Sequence, residues 1–319
     1  MTDFVTWAPT PFDDDAELID LAARCLATDG GLPLAADHAF LQRRWRAPGI
    51  CTLQGRDRDG RLVAAGAVRP TSAAGGVTFC GLVDPDVRAR GIGSHLLSWG
   101  LSQADQRRQP VTVETESLTA AAETLFAGHG LRQVFAEDVM RVDLAAGVPA
   151  AAWPPGTRLA AWSAADAARF HRVYEAAFRE RPGFPGRPAA EWIADVAEDD
   201  DFRAPWSVLA TLADVGDAGF VGDAGFVGDA DFVGDAGFVG DAGFVTAAVG
   251  WIVQVGVVPA ARGRGIGGAL VAEALRRMHA DGADHAWLNV NVDNAAVRLY
   301  RKLGFEHRGR RARYRFPGS

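Results

Sequence analysis

The chain has 319 residues, 48% of them hydrophobic, with 33 Lys+Arg against 40 Asp+Glu and a formal net charge of −7. A domain takes about 100–200 residues, so this length predicts two domains, and the ordinary apolar fraction excludes wholesale disorder and a fibrous protein. No run approaches the roughly 20 apolar residues of a membrane helix, and Met1-Thr2-Asp3-Phe4 lacks a charged-then-apolar signal, so a cytoplasmic protein without a membrane partner is expected. Three cysteines, Cys25, Cys51 and Cys80, form an odd set without CxxC spacing. They predict neither a disulfide framework nor a metal site, but three buried, inert thiols.

In chain order, the first half offers hairpin strands at Ile50–Gly55 and Arg61–Val68 about an Asp-Gly turn, then a strand at Val77–Val83 that runs through Pro85 into a glycine-rich turn and a helix. The stretch Ala145–Gly156, dominated by Ala, Pro and Gly, reads as a linker. Beyond it come a strand at Thr157–Trp162, a helix at Ala164–Arg181 with Ser163 as N-cap, a helix at Arg187–Phe202 and a strand at Trp206–Ala213. Phe244–Val249 and Trp251–Val258 are strands and Gly265–Ala280 an amphipathic helix. Ala286–Val292 is a strand, Asn294–Leu303 a helix stopped by Gly304, and Arg310–Phe316 a last strand.

The two halves repeat each other. Val83-Asp-Pro-Asp-Val-Arg-Ala-Arg-Gly-Ile-Gly-Ser-His-Leu96 returns as Val257-Val-Pro-Ala-Ala-Arg-Gly-Arg-Gly-Ile-Gly-Gly-Ala-Leu270, at an offset of 174 that also places Gly130-Leu131 on Gly304-Phe305. The chain therefore divides into copies at 1–147 and 156–319 joined by 148–155. Each copy is expected to be α+β, a central, mostly antiparallel mixed sheet flanked by helices. A second repeat, Gly-Asp-Ala-Gly-Phe-Val, runs five times from Gly216 to Val245 and carries six aspartates without Lys, Arg or Glu. The rest of the chain is thus nearly neutral, and the −7 argues for no cationic partner. The hexapeptide is close to the signature of left-handed β-helix acyltransferases, but five units fall short of two turns, and aspartates six apart lack the ligand density of a calcium loop. Its place between the second and third strands of the second copy predicts an expanded hairpin tip forming a loop or ribbon.

Chemistry is carried by the glycine-rich turns. In each copy a β-branched strand passes through a proline into Arg-x-Arg-Gly-Ile-Gly and directly into a helix, whose first turn presents unpaired N–H groups suited to a phosphate. Gly263-Arg-Gly265-Ile-Gly-Gly268 also matches GxGxxG, but the first copy has Leu96 at the third glycine and Asp284 precedes its strand, against a dinucleotide site.

These turns match the Gln/Arg-x-x-Gly-x-Gly/Ala pattern of the Gcn5-related N-acetyltransferases (GNAT), as Arg262-Gly-Arg-Gly265-Ile-Gly267 and Arg88-Ala-Arg-Gly91-Ile-Gly93. Asn294-Ala-Ala-Val-Arg-Leu-Tyr300-Arg-Lys302-Leu-Gly304-Phe305 resembles, slightly compressed, a later pattern of that family. The chain as a whole resembles two tandem GNAT domains, a layout similar to that of mycothiol synthases. The resemblance implies acetyl-CoA as acyl donor, with backbone groups around Val255, Val257 and Val258 aligning the pantetheine arm and polarising the acetyl carbonyl. It implies that N–H groups of Arg262, Gly263, Arg264, Gly265, Ile266, Gly267 and Gly268 hold the pyrophosphate, that Asn294 contacts the cofactor arm, and that Tyr300 protonates the departing thiolate. Arg88, Arg90, Gly91, Gly93 and Ser94 form the corresponding loop of the first copy. There Ala120 and Phe126 replace Asn294 and Tyr300, so the first copy is expected to bind acetyl-CoA without chemistry or to serve structurally.

Several family members carry a glutamate on the fourth strand, where this chain has Trp251-Ile-Val-Gln254-Val, and a glutamine cannot take a proton. Asp293, Glu191 and His171 remain as candidates, and the base stays unassigned. Trp192, Phe170 and Tyr174 lie where the family lines its acceptor pocket. Alternation of Arg311, Arg313 and Arg315 with Ala312, Tyr314 and Phe316 reads as a half-buried strand with a solvated face rather than a nucleic-acid footprint. The expected activity is acetyl transfer from acetyl-CoA to a primary amine of a small molecule, with a protein amino terminus as acceptor or a non-catalytic acyl-CoA sensor as alternatives.

Overall fold

The computed structural model describes residues 5–12, 15–71, 75–181, 183–213 and 239–317. In chain order these give β1 (Thr6–Ala8), α1 (Asp15–Asp29), α2 (His38–Leu41), β2 (Cys51–Arg56), β3 (Leu62–Pro70), β4 (Val77–Val83), α3 (Ile92–Gln106), β5 (Val111–Thr115), α4 (Ala120–Gly128) and β6 (Arg132–Asp143). The second half follows with β7 (Thr157–Ala161), α5 (Ala167–Phe178), α6 (Ala189–Ala197), β8 (Val208–Leu212), β9 (Gly240–Ala248), β10 (Trp251–Val257), α7 (Ile266–Ala280), β11 (His285–Asn291), α8 (Val297–Lys302) and β12 (Glu306–Arg315).

The expected elements are all present, and the helices are shorter than their apolar periodicity reaches. Before α5, both the hydroxyl and the carbonyl of Ser163 accept from the Asp166 N–H, so the serine closes a turn one step ahead of the helix. α6 ends at Ala197 because Asp199 starts a competing turn, its carboxylate accepting from the Asp201 N–H and its carbonyl from the Phe202 N–H. α8 starts three residues after Asn294, whose N–H is taken by the Asn291 carbonyl. The fifth hexapeptide is the first part of β9, and its Asp241 is paired with Arg169. Residues 214–238, with the other four, lie outside the described residues, as does the loop or ribbon expected of them.

By internal contact the chain forms two units, and neither is contiguous in sequence. The first comprises the residues through Met140, Asn289–Asn294 and the stretch from His307 onward, whereas the sequence repeat divides the chain at 148–155. Its strands run in the order β1-β2-β3-β4-β5-β12-β6. β12, last in sequence, is antiparallel to β5, with Ala312 opposite Thr115 and Tyr314 opposite Val113. Ala312 and Tyr314 are buried in the same core as Phe79, Leu96, Leu97, Val113 and Phe126. The face expected to be solvated is instead ion-paired: Arg311 Nε lies 2.9 Å from Glu116 and Arg313 Nε 3.1 Å from Glu114, while Arg310 Nη2, on the other face, lies 2.7 Å from Asp138. β4 and β5 pair in parallel only from Val77↔Val111 to Cys80↔Glu114.

The second unit, Arg141–Leu288 with Ala295–Glu306, orders its strands β11-β10-β9-β8-β7. All neighbours are antiparallel except β10 and β11, paired in parallel at Trp251↔Trp287. β10 is bulged between Ile252 and Gln254, which turns Val253 outward, 54% exposed. Such bulges re-aim side chains and end pairing next to functional sites. One sheet face is covered by α5 and α6 through Phe170, Tyr174, Phe178 and Trp192, whose rings surround Phe244 at 6.2–6.5 Å. The other face is covered by α7, with Ile266 and Leu270 against Gly243.

Candidate functional site

The two glycine-rich turns are built alike. Gly91 (φ 80°) and Gly265 (φ 81°) take the left-handed conformation at the N-caps of α3 and α7. The first intrahelical bonds there are His95 N–H to Gly91 and Ala269 N–H to Gly265. The N–H groups of Ile92, Gly93 and Ser94, and of Ile266, Gly267 and Gly268, therefore precede the hydrogen-bonded ladder and converge at the positive end of a helix. A Cβ added at Gly91 or Gly263 would meet nothing within 4 Å, so the backbone is open to a ligand at both places. In the first turn Ala89 occupies the place of Gly263 and still holds φ 60°, against 79° for the glycine.

The leading arginines do not point outward as free charges. Arg88 Nε donates to the Val83 carbonyl at 3.1 Å while its two terminal nitrogens lie 2.7 and 2.6 Å from Asp29. Arg262 Nε donates to the Val257 carbonyl at 3.2 Å, and its terminal nitrogens reach the Ala177 carbonyl and Glu180, both at 3.0 Å. Arg88 thus fastens the end of β4 to the end of α1, and Arg262 the end of β10 to the end of α5. What remains for a phosphate is the run of backbone N–H groups, with Arg90 and Arg264 exposed beside them.

In the second unit α8 lies against the first turn of α7. A Cβ at Gly268 would stand 3.1 Å from Leu299, and one at Gly267 3.8 Å from it. Tyr300, the next residue, is half-buried with its ring edge-on to Phe305 at 5.9 Å. Burial holds its phenol above the ordinary range, and the Arg181 guanidinium partly opposes that. Tyr300 is therefore protonated at neutral pH and able to donate. Val257 faces the same helix, its side chain 3.6 Å from a Cβ at Gly267. The structure thus brings together Val257, Gly267, Gly268 and the helix of Tyr300. Asn294 sits in the turn after β11 and groups by contact with the first unit.

In the first unit the parting of β4 and β5 beyond Cys80↔Glu114 opens a cavity of about 320 Å³. Gly93 and Ser94 of the glycine-rich turn, Leu82 and Val83, Trp45 of the helical segment after α2, and Phe126 line it. Arg44, Glu114 and Glu116 line it as well, and no sequence motif announces them. Glu114 is 8% exposed, and burial pushes its carboxyl up, but Arg44, Arg69 and Arg313 outweigh this and hold it below the usual range. Their signal was a glutamate at alternate positions, Glu114 in β5 and Glu116 just past it, intelligible only once β12 and its arginines are placed beside them. Phe126, at the position of Tyr300, packs into the core. Of the cysteines, only Cys25 is fully buried. Cys80 is half-buried among charged neighbours, yet burial pushes its thiol to about 12, and that of Cys25 to about 11.

Of the base candidates, His171 is held by packing and a hydrogen bond. His171 Nε2 is 2.9 Å from the Arg187 carbonyl, and the ring packs on Tyr174 and Trp192. Glu191 and Asp293 are exposed. Trp192, Phe170 and Tyr174 are core residues, each less than 7% exposed. Among the described residues, no group of three His, Cys, Asp or Glu side chains is placed to hold a metal, and no helix is long and apolar enough to cross a membrane.

The model of the acetyltransferase (GNAT) family matches residues 170–305. A mycothiol acetyltransferase of Clavibacter michiganensis subsp. michiganensis is 30% identical over 311 residues, covering 96% of this chain and 92% of the relative. Among solved structures, a GCN5-related N-acetyltransferase from Sphaerobacter thermophilus superposes with a TM-score of 0.72 at 23% identity, over 99% of this chain and 96% of that one. A tandem GNAT protein from the clavulanic acid biosynthesis pathway gives 0.60 at 19% identity over 97% of each chain. The likeness runs along nearly the whole chain, and the chain belongs to the GNAT family, as an acetyl-CoA-dependent N-acetyltransferase of tandem layout.

Proposed function

We propose that the second unit transfers the acetyl group of acetyl-CoA to the primary amine of a small acceptor related to mycothiol. The observation that carries this is the placement of Tyr300, whose neighbour Leu299 packs on the first turn of α7, while the equivalent Phe126 carries no hydroxyl. The acceptor class is suggested by the curated relative, a mycothiol acetyltransferase aligned over nearly its full length.

In this mechanism the N–H groups from Gly263 to Gly268 bind the pyrophosphate, and backbone groups of Val255, Val257 and Val258 align the pantetheine arm. The neutral amine nitrogen attacks the thioester carbonyl carbon, a C–N bond forms, and the C–S bond breaks. The phenol of Tyr300 gives its proton to the leaving thiolate, and the proton lost by the amine passes to solvent. A phenol with an ordinary pKa near 10 is matched to a thiol near 8.5. The first unit, with open N–H groups at Gly91, Gly93 and Ser94 and a cavity beside them, binds an acyl-CoA without turning it over.

Thiol release from acetyl-CoA with a panel of primary amines tests the reading. Amine-dependent release that Tyr300→Phe removes supports it, and full turnover by Tyr300→Phe overturns it. Calorimetric titration with CoA distinguishes two sites per chain from one.

A further inference from the structure

In the first unit, the cavity beside the glycine-rich turn reaches both faces of the sheet. Phe79 and Val113 stand opposite each other in the β4–β5 ladder, and with Leu96, Leu97 and Phe126 they belong to the core under α3. Cys80 and Leu82 point the other way and pack with Cys25 and Trp45 in a separate core under α1. Residues of both cores line the same cavity, so it passes through the sheet where β4 and β5 part beyond Cys80↔Glu114. One end lies at Gly93 and Ser94, whose N–H groups precede the hydrogen-bonded ladder of α3. The other lies between α1 and the segment Gln42–Arg46, where Arg44 and Trp45 stand on a single π-helical turn, a distortion frequent at functional sites.

The chemistry of the walls narrows the occupant. Five charged side chains line the cavity, and each is paired with another of them: Arg88 with Asp29 at 2.6 Å, and Arg44 with Glu114 at 2.7 Å and Glu116 at 2.8 Å. Arg69 and Arg313 add to Glu114, and Arg311 to Glu116. Among the described residues, the walls therefore offer no lone charge to an ammonium or a carboxylate. The thiols of Cys25 and Cys80, pushed up to about 11 and about 12 by burial, are neutral at pH 7. Ala22, Leu26, Trp45 and Leu82 complete the far end with apolar surface. The cavity measures about 320 Å³, room for roughly ten waters at about 30 Å³ each, and an acetyl group entering from the turn fills only part of it.

We propose that the first unit selects CoA thioesters with an uncharged acyl chain longer than acetyl. The pyrophosphate sits on the N–H groups of the glycine-rich turn, and the chain passes between β4 and β5 to lie against Cys25, Trp45 and Leu82. Phe126 and Ala120, standing where the second copy has Tyr300 and Asn294, supply neither a proton nor a side-chain hydrogen bond, so the thioester is held intact. This rests on the reading that the first unit binds an acyl-CoA without turning it over.

Calorimetry of the full chain with acetyl-, hexanoyl- and succinyl-CoA, in the absence of amine, tests it. Ser94→Glu, which sets a carboxylate at the start of α3 against the pyrophosphate, identifies the first-unit site as the one it removes. At that site hexanoyl-CoA is expected to bind at least about tenfold more tightly than acetyl-CoA, since each buried methylene is worth about fourfold in affinity. Succinyl-CoA should gain nothing over acetyl-CoA, because its terminal carboxylate meets no free cation. Leu26→Trp and Ala22→Leu, which fill the far end from two positions on α1, should each erase the hexanoyl preference and leave acetyl-CoA binding in place. Equal affinity for hexanoyl- and acetyl-CoA at the Ser94-sensitive site overturns the inference alone, as does a preference that survives both filled variants. No CoA site sensitive to Ser94→Glu overturns acyl-CoA binding by the first unit and the inference with it.

Discussion

The ring of Phe126 packs on that of Tyr314 with centroids 4.9 Å apart and planes inclined by 55°. Phe126 stands where the second copy has Tyr300, and Tyr314 belongs to the last strand of the chain. The contact ties the C-terminal strand into the first unit's core.

Tyr300→Phe should lower kcat by about 10²–10⁴-fold, the usual worth of a positioned acid, while acetyl-CoA binding measured by calorimetry is retained. Phe126→Tyr should not create a second active site, because Ala120 still stands where the second copy has Asn294 and the added hydroxyl must enter the packing around Tyr314. Its expected effect is a lower Tm with unchanged kcat.

Tyr314→Ala should destabilise the first unit by about 3–5 kcal/mol, the cost of truncating a buried aromatic. A domain division at 148–155 would place that residue in the second copy. Hydrogen exchange should show lost protection in β4 and β5 of the first unit.

Ala89 holds φ 60° where its counterpart Gly263 holds 79°. Left-handed backbone costs a residue with a Cβ about 1–2 kcal/mol, so Ala89→Gly should raise stability by roughly 1 kcal/mol. Gly263→Ala, with open space around the new methyl, should lower it by a similar amount through backbone strain alone. Denaturant midpoints with unchanged m-values check both.

Glu114 titrates below the usual carboxylate range because Arg44, Arg69 and Arg313 outweigh its burial. For an acid with a lowered folded-state pKa, the stabilisation is fully present above the unfolded value near 4.3 and is lost as pH falls through the folded value. Wild-type stability should therefore decline as pH falls below about 4.3. In Glu114→Gln this contribution to the decline should be absent, and at pH 7 the variant should be about 3–5 kcal/mol less stable, since three guanidiniums lose a buried partner. Urea unfolding as a function of pH reads both slopes.

The sequence by itself determined the repeat, the strand-to-helix turns and the residues in them, because these rest on local chemistry. A glycine before a helix, a proline ending a strand and an offset of 174 are visible without any contact map. It also separated the copies at Tyr300 and Phe126, since a phenol and a phenyl ring differ wherever they stand. Pairing was decided only by tertiary structure. The alternation of Arg311, Arg313 and Arg315 revealed a half-buried strand, but not that its arginines meet Glu114 of β5 and Glu116 just beyond it, almost 200 residues earlier. The roles of Arg88 and Arg262 were hidden for the same reason: a guanidinium beside a glycine-rich turn is equally suited to a phosphate and to a carbonyl, and only the packed neighbours fix which it takes. Thr246 and Gln254 were brought opposite each other by strand register and by a one-residue bulge. Such a register is set by which faces are buried across the sheet, and no stretch of sequence contains that information alone.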